Sequence, residues 1–444
     1  MHSDIVKKFN SFYFIGIGGV SMSGLAKFLM GLNKKVGGSD VCANEYTDEL
    51  VKSGVKIDFG NSNDEIESYD AVVYTDAIRE EDTRLKKAIS LSKPTLSRGQ
   101  FLYEISRYFK KVIAISGCHG KTTCSSMLTH IFAAADKKFA SHIGGKDLKY
   151  SNFYCCGYDY LITEACEYKK NFLHLKPDIA VILNSDADHI ECYESVEALK
   201  SAYLSFADSA SETVSLYRDL NEVSGIKFGF DKSADYFATN ININSGKCEF
   251  ALHERDKKLG NLVLNVYGRH NVLNALAAAA VARYFGITFE QIREGLNRFA
   301  GVERRFEKLA ELNGVAYYAD YAHHPNELRA SLKTARKIAK GRLFVVFQPH
   351  TYSRTKLLFK EFISVLSPLP QLLIYKTYAA REYYDDEGSA LTLSQHLKKS
   401  RYGDCRKDIT EFVSKAVEGD MVLFLGAGDI YFIAKQICDI KKSD

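Results

Sequence analysis

Short apolar runs that stop at glycine or at polar residues recur along this chain, and most are followed by a stretch of helical period. The first, Phe12–Gly18 (FYFIGIG), leads into SMSGLAKFLMGL, which predicts a strand, a glycine turn and a helix. Another strand is expected at Ala71–Ala77 (AVVYTDA), so a first α/β segment ends near residue 108. KKVIAIS opens a second segment that passes through a glycine-lysine loop into a helix, with buried strands expected at Tyr160–Glu164 (YLITE) and Ile179–Asn184 (IAVILN). Continuous apolar strands alternating with helices point to a parallel sheet covered on both faces. KCEFALH and GNLVLNVYG read as an antiparallel hairpin, and HNVLNALAAAAVARYFG as a helix closed by a glycine, ending the segment near Phe299. The remainder repeats the rhythm through VAYYADYAHHP, RLFVVFQPH, QLLIYKTY and DMVLFLGAGDI. Each of these strands carries polar residues at its C-terminal end, where open α/β sheets bind ligands. The expectation is an α/β protein of three domains, 1–108, 109–299 and 300–444.

The stretch VIAISGCHGKTT, Val112–Thr123, resembles a phosphate-binding loop that lacks its first glycine. Strand, glycine, lysine and two threonines in that order place backbone N–H groups, an ammonium and a hydroxyl at a helix N-terminus, where phosphate is favoured. Lys121 is then the candidate for the β and γ oxygens, and Thr122 for Mg²⁺. The alternative is a glycine turn with a surface lysine. In GIGGVSMSG the third glycine of a dinucleotide fingerprint falls on Ser21, so Gly18 and Gly19 fit a nucleotide-containing ligand or close packing equally well, with Asp40 at about the right spacing for a ribose contact. TEACE ends a buried strand and is expected to expose Glu164 and Glu167, while NSDADH ends the next with Asp186, Asp188 and His189. Glu164 and His189 suit Mg²⁺, whereas Asp186 and Asp188 read as turn chemistry. DYAHHP and QPHTYSRT add His323, His324, His350 and Arg354, a clustering suited to an anionic substrate, and GVERRFE adds Arg304 and Arg305 at a domain boundary.

Composition narrows the classes. In 444 residues, 46% are apolar and cationic residues exceed acidic ones by only four, scattered rather than blocked, so no nucleic-acid or membrane-surface partner is expected. No run approaches a membrane span, and the N-terminus lacks the apolar core of a signal peptide. Ten cysteines without C-x-x-C spacing suit thiols in a reducing cytosol better than disulfides or zinc, so a cytoplasmic protein is expected.

Taken in order, GIGGVSMSGLA, GCHGKTT, EACEY, NSDADH, GRHNVLNALAA, GVERRFE, DYAHHPNE, FQPHTYSRT, YAARE and GAGDI resemble the Mur ligase family of peptidoglycan synthesis, from residue 16 to residue 430. The resemblance implies a Rossmann-like N-terminal domain, a central P-loop ATPase-like domain and a C-terminal Rossmann-like domain. It implies an ATP cradle of Gly117, Cys118, His119, Gly120, Lys121, Thr122 and Thr123, and Mg²⁺ ligands in Thr122, Glu164 and His189. His270, Asn271 and Asn274 fall where the family holds adenine, Arg305 and Asp320 where it holds phosphates and ribose. Gly18, Gly19 and Ser21 would meet the diphosphate of a UDP-sugar, with Asp40 nearby, and His324 and Arg354 the amino-acid end. The implied reaction is ATP-driven amide formation between the lactyl carboxylate of UDP-N-acetylmuramate and L-alanine through an acyl phosphate. A relative that adds a whole tripeptide is the alternative, and a monomer or homodimer is expected. Departures from the family pattern are Cys118 in place of threonine, Thr351 in place of an arginine, and Lys200, which is offset from the modified lysine of sister ligases. A nicotinamide oxidoreductase would leave the lysine-threonine loop without a purpose, and an inactive sugar-nucleotide binder is opposed by the intact lysine, threonine and glutamate.

Overall fold

In a computed structural model the chain is described at residues 5–443, apart from 61–63, 79–80, 186–192, 194, 221, 245–246 and 381. Three sheets follow one another along it. The first holds β1 (Ser11–Ile15), β2 (Lys35–Ser39), β3 (Lys56–Asp58), β4 (Ala71–Tyr74) and β5 (Thr95–Ser97) in the order β3-β2-β1-β4-β5, all parallel. Every residue of β1 is buried because its two faces are covered separately. Phe12 and Phe14 enter one apolar cluster, Tyr13 and Ile15 another.

The second sheet contains β6 (Lys111–Ser116), β7 (Phe139–Asp147), β8 (Ser151–Cys155), β9 (Tyr160–Glu164), β10 (Ile179–Ile182), β11 (Glu212–Leu216), β12 (Ile226–Gly229), β13 (Tyr236–Asn244), β14 (Lys247–Glu254) and β15 (Lys257–Leu264). Its order is β15-β14-β13-β12-β11-β10-β6-β9-β7-β8. The strands from β12 to β7 run parallel, β14 and β15 form the expected hairpin, and β8 pairs antiparallel at the edge. In β6, Val112 and Ala114 join the cluster that holds Phe12 and Phe14, whereas Ile113 and Ile115 face the cluster under the helices Lys121–Ala134 and Arg269–Tyr284. One apolar core thus runs from the first sheet into the second, and Met1–Ile243 with Lys247–Val302 forms one compact unit.

The second unit is Glu303–Asp444 together with Asn244–Gly246. Its sheet has β16 (Glu307–Leu312), β17 (Val315–Asp320), β18 (Leu343–Phe347), β19 (Gln371–Tyr375), β20 (Ser400–Gly403) and β21 (Met421–Leu425) in the order β16-β17-β21-β18-β19-β20. All pairs are parallel except β16 with β17. The last strand, β21, is inserted between β17 and β18, so the C-terminal ends of these three parallel strands lie side by side. Among the described residues no helix is long and apolar enough to cross a membrane, and the cysteines are free thiols.

Candidate active site

β6 ends in the glycine loop and the helix Lys121–Ala134 begins at it, as the residues between them require. Gly117 has φ +126° and Gly120 φ +87°, the left-handed region that glycine adopts without strain. The missing first glycine is replaced by a side-chain support from the end of β10. Asn184 Oδ1 accepts from His119 N at 3.1 Å and its Nδ2 donates to His119 O at 2.9 Å, so one amide pins the loop in both directions. Cys118 is buried with Sγ 3.5 Å from the Tyr203 hydroxyl, a packing role that needs no threonine. Thr122 and Thr123 are buried in the first helical turn.

Lys121 lies inside this cradle. Its Nζ donates to Gly117 O and to both carboxylate oxygens of Glu167, each at 2.9 Å. Burial by itself would lower the lysine pKa, but the charge and hydrogen bond of Glu167, together with Cys166 and Cys118, raise it above the ordinary range. The expectation that Glu167 is exposed is therefore corrected: it has no exposed surface. Lys169 and Lys170 adopt left-handed backbone immediately after it, and the resulting turn brings Glu167 under the loop, where the Tyr193 hydroxyl donates to its carbonyl at 2.6 Å.

Glu164 ends β9 beside two glycines of β7. Gly144 N donates to Glu164 Oε1 at 2.6 Å, and a β-carbon on Gly144 would lie 2.5 Å from Oε2. A β-carbon on Gly145 would lie 2.8 Å from Thr122 Cγ2. Gly144 thus packs against the Glu164 carboxylate and Gly145 against the Thr122 methyl. A hydroxyl and a carboxylate are hard oxygen donors and fit Mg²⁺. His189, Asp186 and Asp188 lie outside the described residues.

The helix Arg269–Tyr284 starts at Gly268 with φ +101° and brings Asn274 over the loop. A β-carbon on Gly120 would meet Asn274 Oδ1 at 2.5 Å, so the two touch. Asn274 Nδ2 donates to Asn271 Oδ1 at 3.1 Å, and Asn271 Nδ2 donates to Tyr267 O at 2.6 Å. His270 is exposed in the first turn of the same helix.

In the first sheet, Gly18 N donates to Asp40 Oδ2 at 2.7 Å, and Val41 N to Asp40 Oδ1 at 2.7 Å. A β-carbon on Gly18 would collide with Asp40, Asn44 and Thr47, all within 2.8 Å. Asp40 therefore shapes the glycine turn through its backbone. Gly19 is the N-cap of the helix Val20–Gly31, and the Ser21 hydroxyl lies 3.1 Å from His142 Nε2.

In the second unit, Asp320 ends β17 with Oδ2 accepting from the Ser331 hydroxyl at 2.5 Å and Oδ1 from Ala322 N at 3.2 Å. Burial pushes its pKa up to about 6, against the Ser331 bond and the Arg305 charge, which both lower it. The paired arginines separate: Arg304 packs over the rings of Tyr431 and Phe432, 4.5 and 4.7 Å from the centroids, whereas Arg305 lies 5.1 Å from the Tyr321 ring and acts on Asp320. His324 is a buried N-cap whose Nδ1 accepts from Asn326 N at 3.3 Å. The His323 and His350 rings are 5.6 Å apart, and Arg354 Nη1 lies 3.3 Å from His350 Nδ1. Arg354 follows Thr351, whose φ of +65° turns the chain at the start of the helix Tyr352–Leu357.

Comparison with known proteins decides which class of site this is. Residues 11–110 match the Mur ligase family, catalytic domain; 115–282 the Mur ligase middle domain; and 304–428 the Mur ligase, glutamate ligase domain. A UDP-N-acetylmuramate–L-alanine ligase of Clostridium beijerinckii is 38% identical over 97% of this chain and 98% of its own length, and one of Acetivibrio thermocellus 37% over 98% and 97%. The chain belongs to the Mur ligase family. Among solved structures, a UDP-N-acetylmuramate-alanine ligase of Thermotoga maritima aligns with a TM-score of 0.86 at 26% identity, covering 98% of this chain and 99% of its own. A murein peptide ligase of Psychrobacter arcticus shares the fold, with a TM-score of 0.74 at 22% identity, covering 98% and 99%.

As a Mur ligase the chain holds three features that sequence reasoning did not assign: Asn184 as the loop support, Glu167 as the partner of Lys121, and the Gly144-Gly145 pair against Thr122 and Glu164. The sequence signal for the last was the doubled glycine itself. Lys200 is paired with Glu222, half exposed at the edge of the helix Val196–Asp208.

Proposed function

We propose that this chain is an ATP-dependent ligase joining L-alanine to the lactyl carboxylate of UDP-N-acetylmuramate, with release of ADP and phosphate, in cytoplasmic peptidoglycan precursor synthesis. The observation that carries this reading is near full-length identity of 38% to an L-alanine ligase, and it is supported by a glycine loop that carries Lys121 and Thr122 at the start of a helix. Residues 1–108 are assigned to the UDP-sugar, 109–299 to ATP, and 300–444 to closure over ATP and to the amino acid.

A lactyl carboxylate oxygen attacks the γ-phosphorus in line, the bond to the ADP oxygen breaks, and an acyl phosphate forms. The neutral alanine amine then attacks the acyl carbon, phosphate leaves with the bonding electrons, and the nitrogen loses one proton to become the amide N–H. Lys121 supplies positive charge to the transferred phosphoryl group, and the N–H groups of Gly117–Thr122 orient it, so positioning and electrostatics provide most of the rate. Thr122, Glu164 and His189 would hold Mg²⁺, which neutralises charge on the phosphate oxygens. His270, Asn271 and Asn274 are assigned to adenine, Arg305 and Asp320 to phosphate and ribose, and His324 and Arg354 to the alanine or acyl-phosphate end. Gly18, Gly19 and Ser21 are assigned to the sugar diphosphate, with Asp40 holding their turn. The protein is taken to act as a monomer or homodimer.

Phosphate release by the purified protein with ATP, Mg²⁺ and UDP-N-acetylmuramate, compared across L-alanine, glycine, L-serine and a peptidoglycan tripeptide, tests the assignment. Turnover with L-alanine is expected; turnover with the tripeptide alone would replace it by the recycling reaction. Lys121→Ala should abolish turnover and leave UDP-sugar binding intact, and unchanged turnover would contradict the role of the loop.

A further inference from the structure

β7 carries a histidine that no step above uses. His142 is 3% exposed and lies between Ser21 of the glycine turn and Thr163 of β9. Its Nε2 is 3.1 Å from the Ser21 carbonyl oxygen and 3.1 Å from Ser21 Oγ, while its Nδ1 is 3.1 Å from Thr163 Oγ1. A carbonyl only accepts, so Nε2 carries the proton, and Nδ1 accepts from the Thr163 hydroxyl. Burial lowers the imidazole pKa to about 4, which keeps the ring neutral and this pattern of donors fixed at physiological pH.

The surroundings are built for this contact. His142 and Thr163 are register partners of β7 and β9, and Thr163 immediately precedes Glu164. On the opposite side, Gly24 lacks the β-carbon that would stand 2.8 Å from His142 Cδ2, so the helix Val20–Gly31 comes down onto the ring. Asn152 on β8 holds the same helix, donating to Val20 O at 2.7 Å and to Ser23 Oγ at 2.8 Å and accepting from Lys27 Nζ at 2.7 Å. The imidazole is thus a rigid link from the glycine turn at Ser21 to the strand end that presents Glu164.

We propose that His142 is a positioning residue: it sets the spacing between the sugar-nucleotide turn at Gly18–Ser21 and the Glu164 carboxylate, so that the lactyl carboxylate meets the γ-phosphorus in line. This rests on the ligase reading above. The relation matters because an error of about 1 Å in such an approach costs on the order of a hundredfold in rate. It requires no contact between His142 and either substrate.

The test is steady-state phosphate release with saturating ATP, alongside binding of UDP-N-acetylmuramate in the absence of ATP. His142→Leu removes the bonds of both ring nitrogens, Thr163→Val removes the one at Nδ1 with little change of shape, and His142→Gln restores a donor toward Ser21. For His142→Leu, kcat should fall roughly 10- to 100-fold while UDP-sugar affinity changes less than about threefold. Thr163→Val should cost roughly tenfold, the double variant should be no slower than His142→Leu alone, and His142→Gln should recover part of the loss. Turnover within about twofold of wild type in folded Thr163→Val and His142→Leu, or a loss confined to UDP-sugar binding, would overturn the proposal. Should His142→Leu fail to fold, Thr163→Val and His142→Gln carry the same comparison. A wild-type protein inactive with both L-alanine and tripeptide would remove the ligase reading and this inference together, whereas an active wild type matched by its variants removes only this one.

Discussion

Gly144→Ala puts the proposed metal ligand under direct strain without touching its chemistry. The new β-carbon would lie 2.5 Å from Glu164 Oε2, 2.8 Å from Cδ and 2.9 Å from Oε1. Gly144 has no positive φ, so the backbone accepts alanine and the carboxylate must yield. Restoring ordinary contact moves its oxygens by about 1 Å and breaks the 2.6 Å bond from Gly144 N. A hydrogen bond to an ionised acceptor is worth about 1.5–3 kcal/mol, and partial exposure of Glu164 places this one at about 1.5 kcal/mol of stability. Activity should suffer more than the fold, because disturbing the support of a ligand costs roughly 10- to 100-fold in metal affinity or rate. Phosphate release measured against Mg²⁺ concentration, with a thermal melt of the same preparation, separates the two effects. The half-saturating Mg²⁺ concentration should rise about tenfold or more while the protein remains folded. An unchanged Mg²⁺ curve with turnover within about twofold would refute the placement of Glu164 at the metal. Gly145→Ala meets only the Thr122 methyl and Val302, at 2.8 and 3.2 Å, and should be milder.

Asp320→Asn should trade function for stability. A carboxyl raised from 3.8 to about 6 favours the folded state when protonated, so its contribution is full below about pH 4 and is lost as pH rises through about 6. The corresponding cost at pH 7 is at most about 3 kcal/mol, less for a partly solvated group. Asparagine should therefore melt higher than wild type at pH 7.5 and equally at pH 4, with weaker ATP use; a lower melting point at pH 7.5 would count against burial as the cause. Arg304→Ala should lose about 1–2 kcal/mol of stability with its two ring contacts and keep the KM for ATP, whereas Arg305→Ala should keep its melting point and lose at least about tenfold in kcat/KM. Steady-state kinetics with ATP varied, run beside melts of both variants, checks the split, and equal effects of the two would contradict it. Gly295→Ala places a β-carbon 2.5 Å from Ile131 Cα and 2.7 Å from Ile131 N, backbone that cannot swing aside. A destabilisation of about 2 kcal/mol is expected in urea unfolding after the gain in helix propensity, and a neutral result would mean the two helices can part.

Much of this arrangement is legible in the linear sequence because it is local. The strand of β6, the glycines at 117 and 120, and Lys121–Thr123 are contiguous, so apolar pattern and turn chemistry suffice to place a phosphate loop at a helix start. The β14–β15 hairpin and the helix Arg269–Tyr284 follow from the same local signals, with Gly286 at φ +72° after the helix end. What escapes is the pairing of distant segments. Asn184 supports His119 across 65 residues, and Lys121 meets Glu167 across 46. The β7–β8 hairpin escapes as a pattern: its glycines and its buried His142 interrupt the apolar alternation that announces a strand. Glycine identity alone does not tell a turn from a close approach. Gly144, Gly145 and Gly24 serve approach, and only the neighbouring side chains reveal it.

The support that Asn184 gives the short loop has a practical corollary for anyone transplanting nucleotide sites between proteins. A full-length loop carries its own curvature in its glycines and travels as a cassette. Here part of the curvature is held by the Asn184 amide just past β10, so moving Gly117–Thr123 into a foreign scaffold without a matching asparagine would deliver the residues and leave the shape behind.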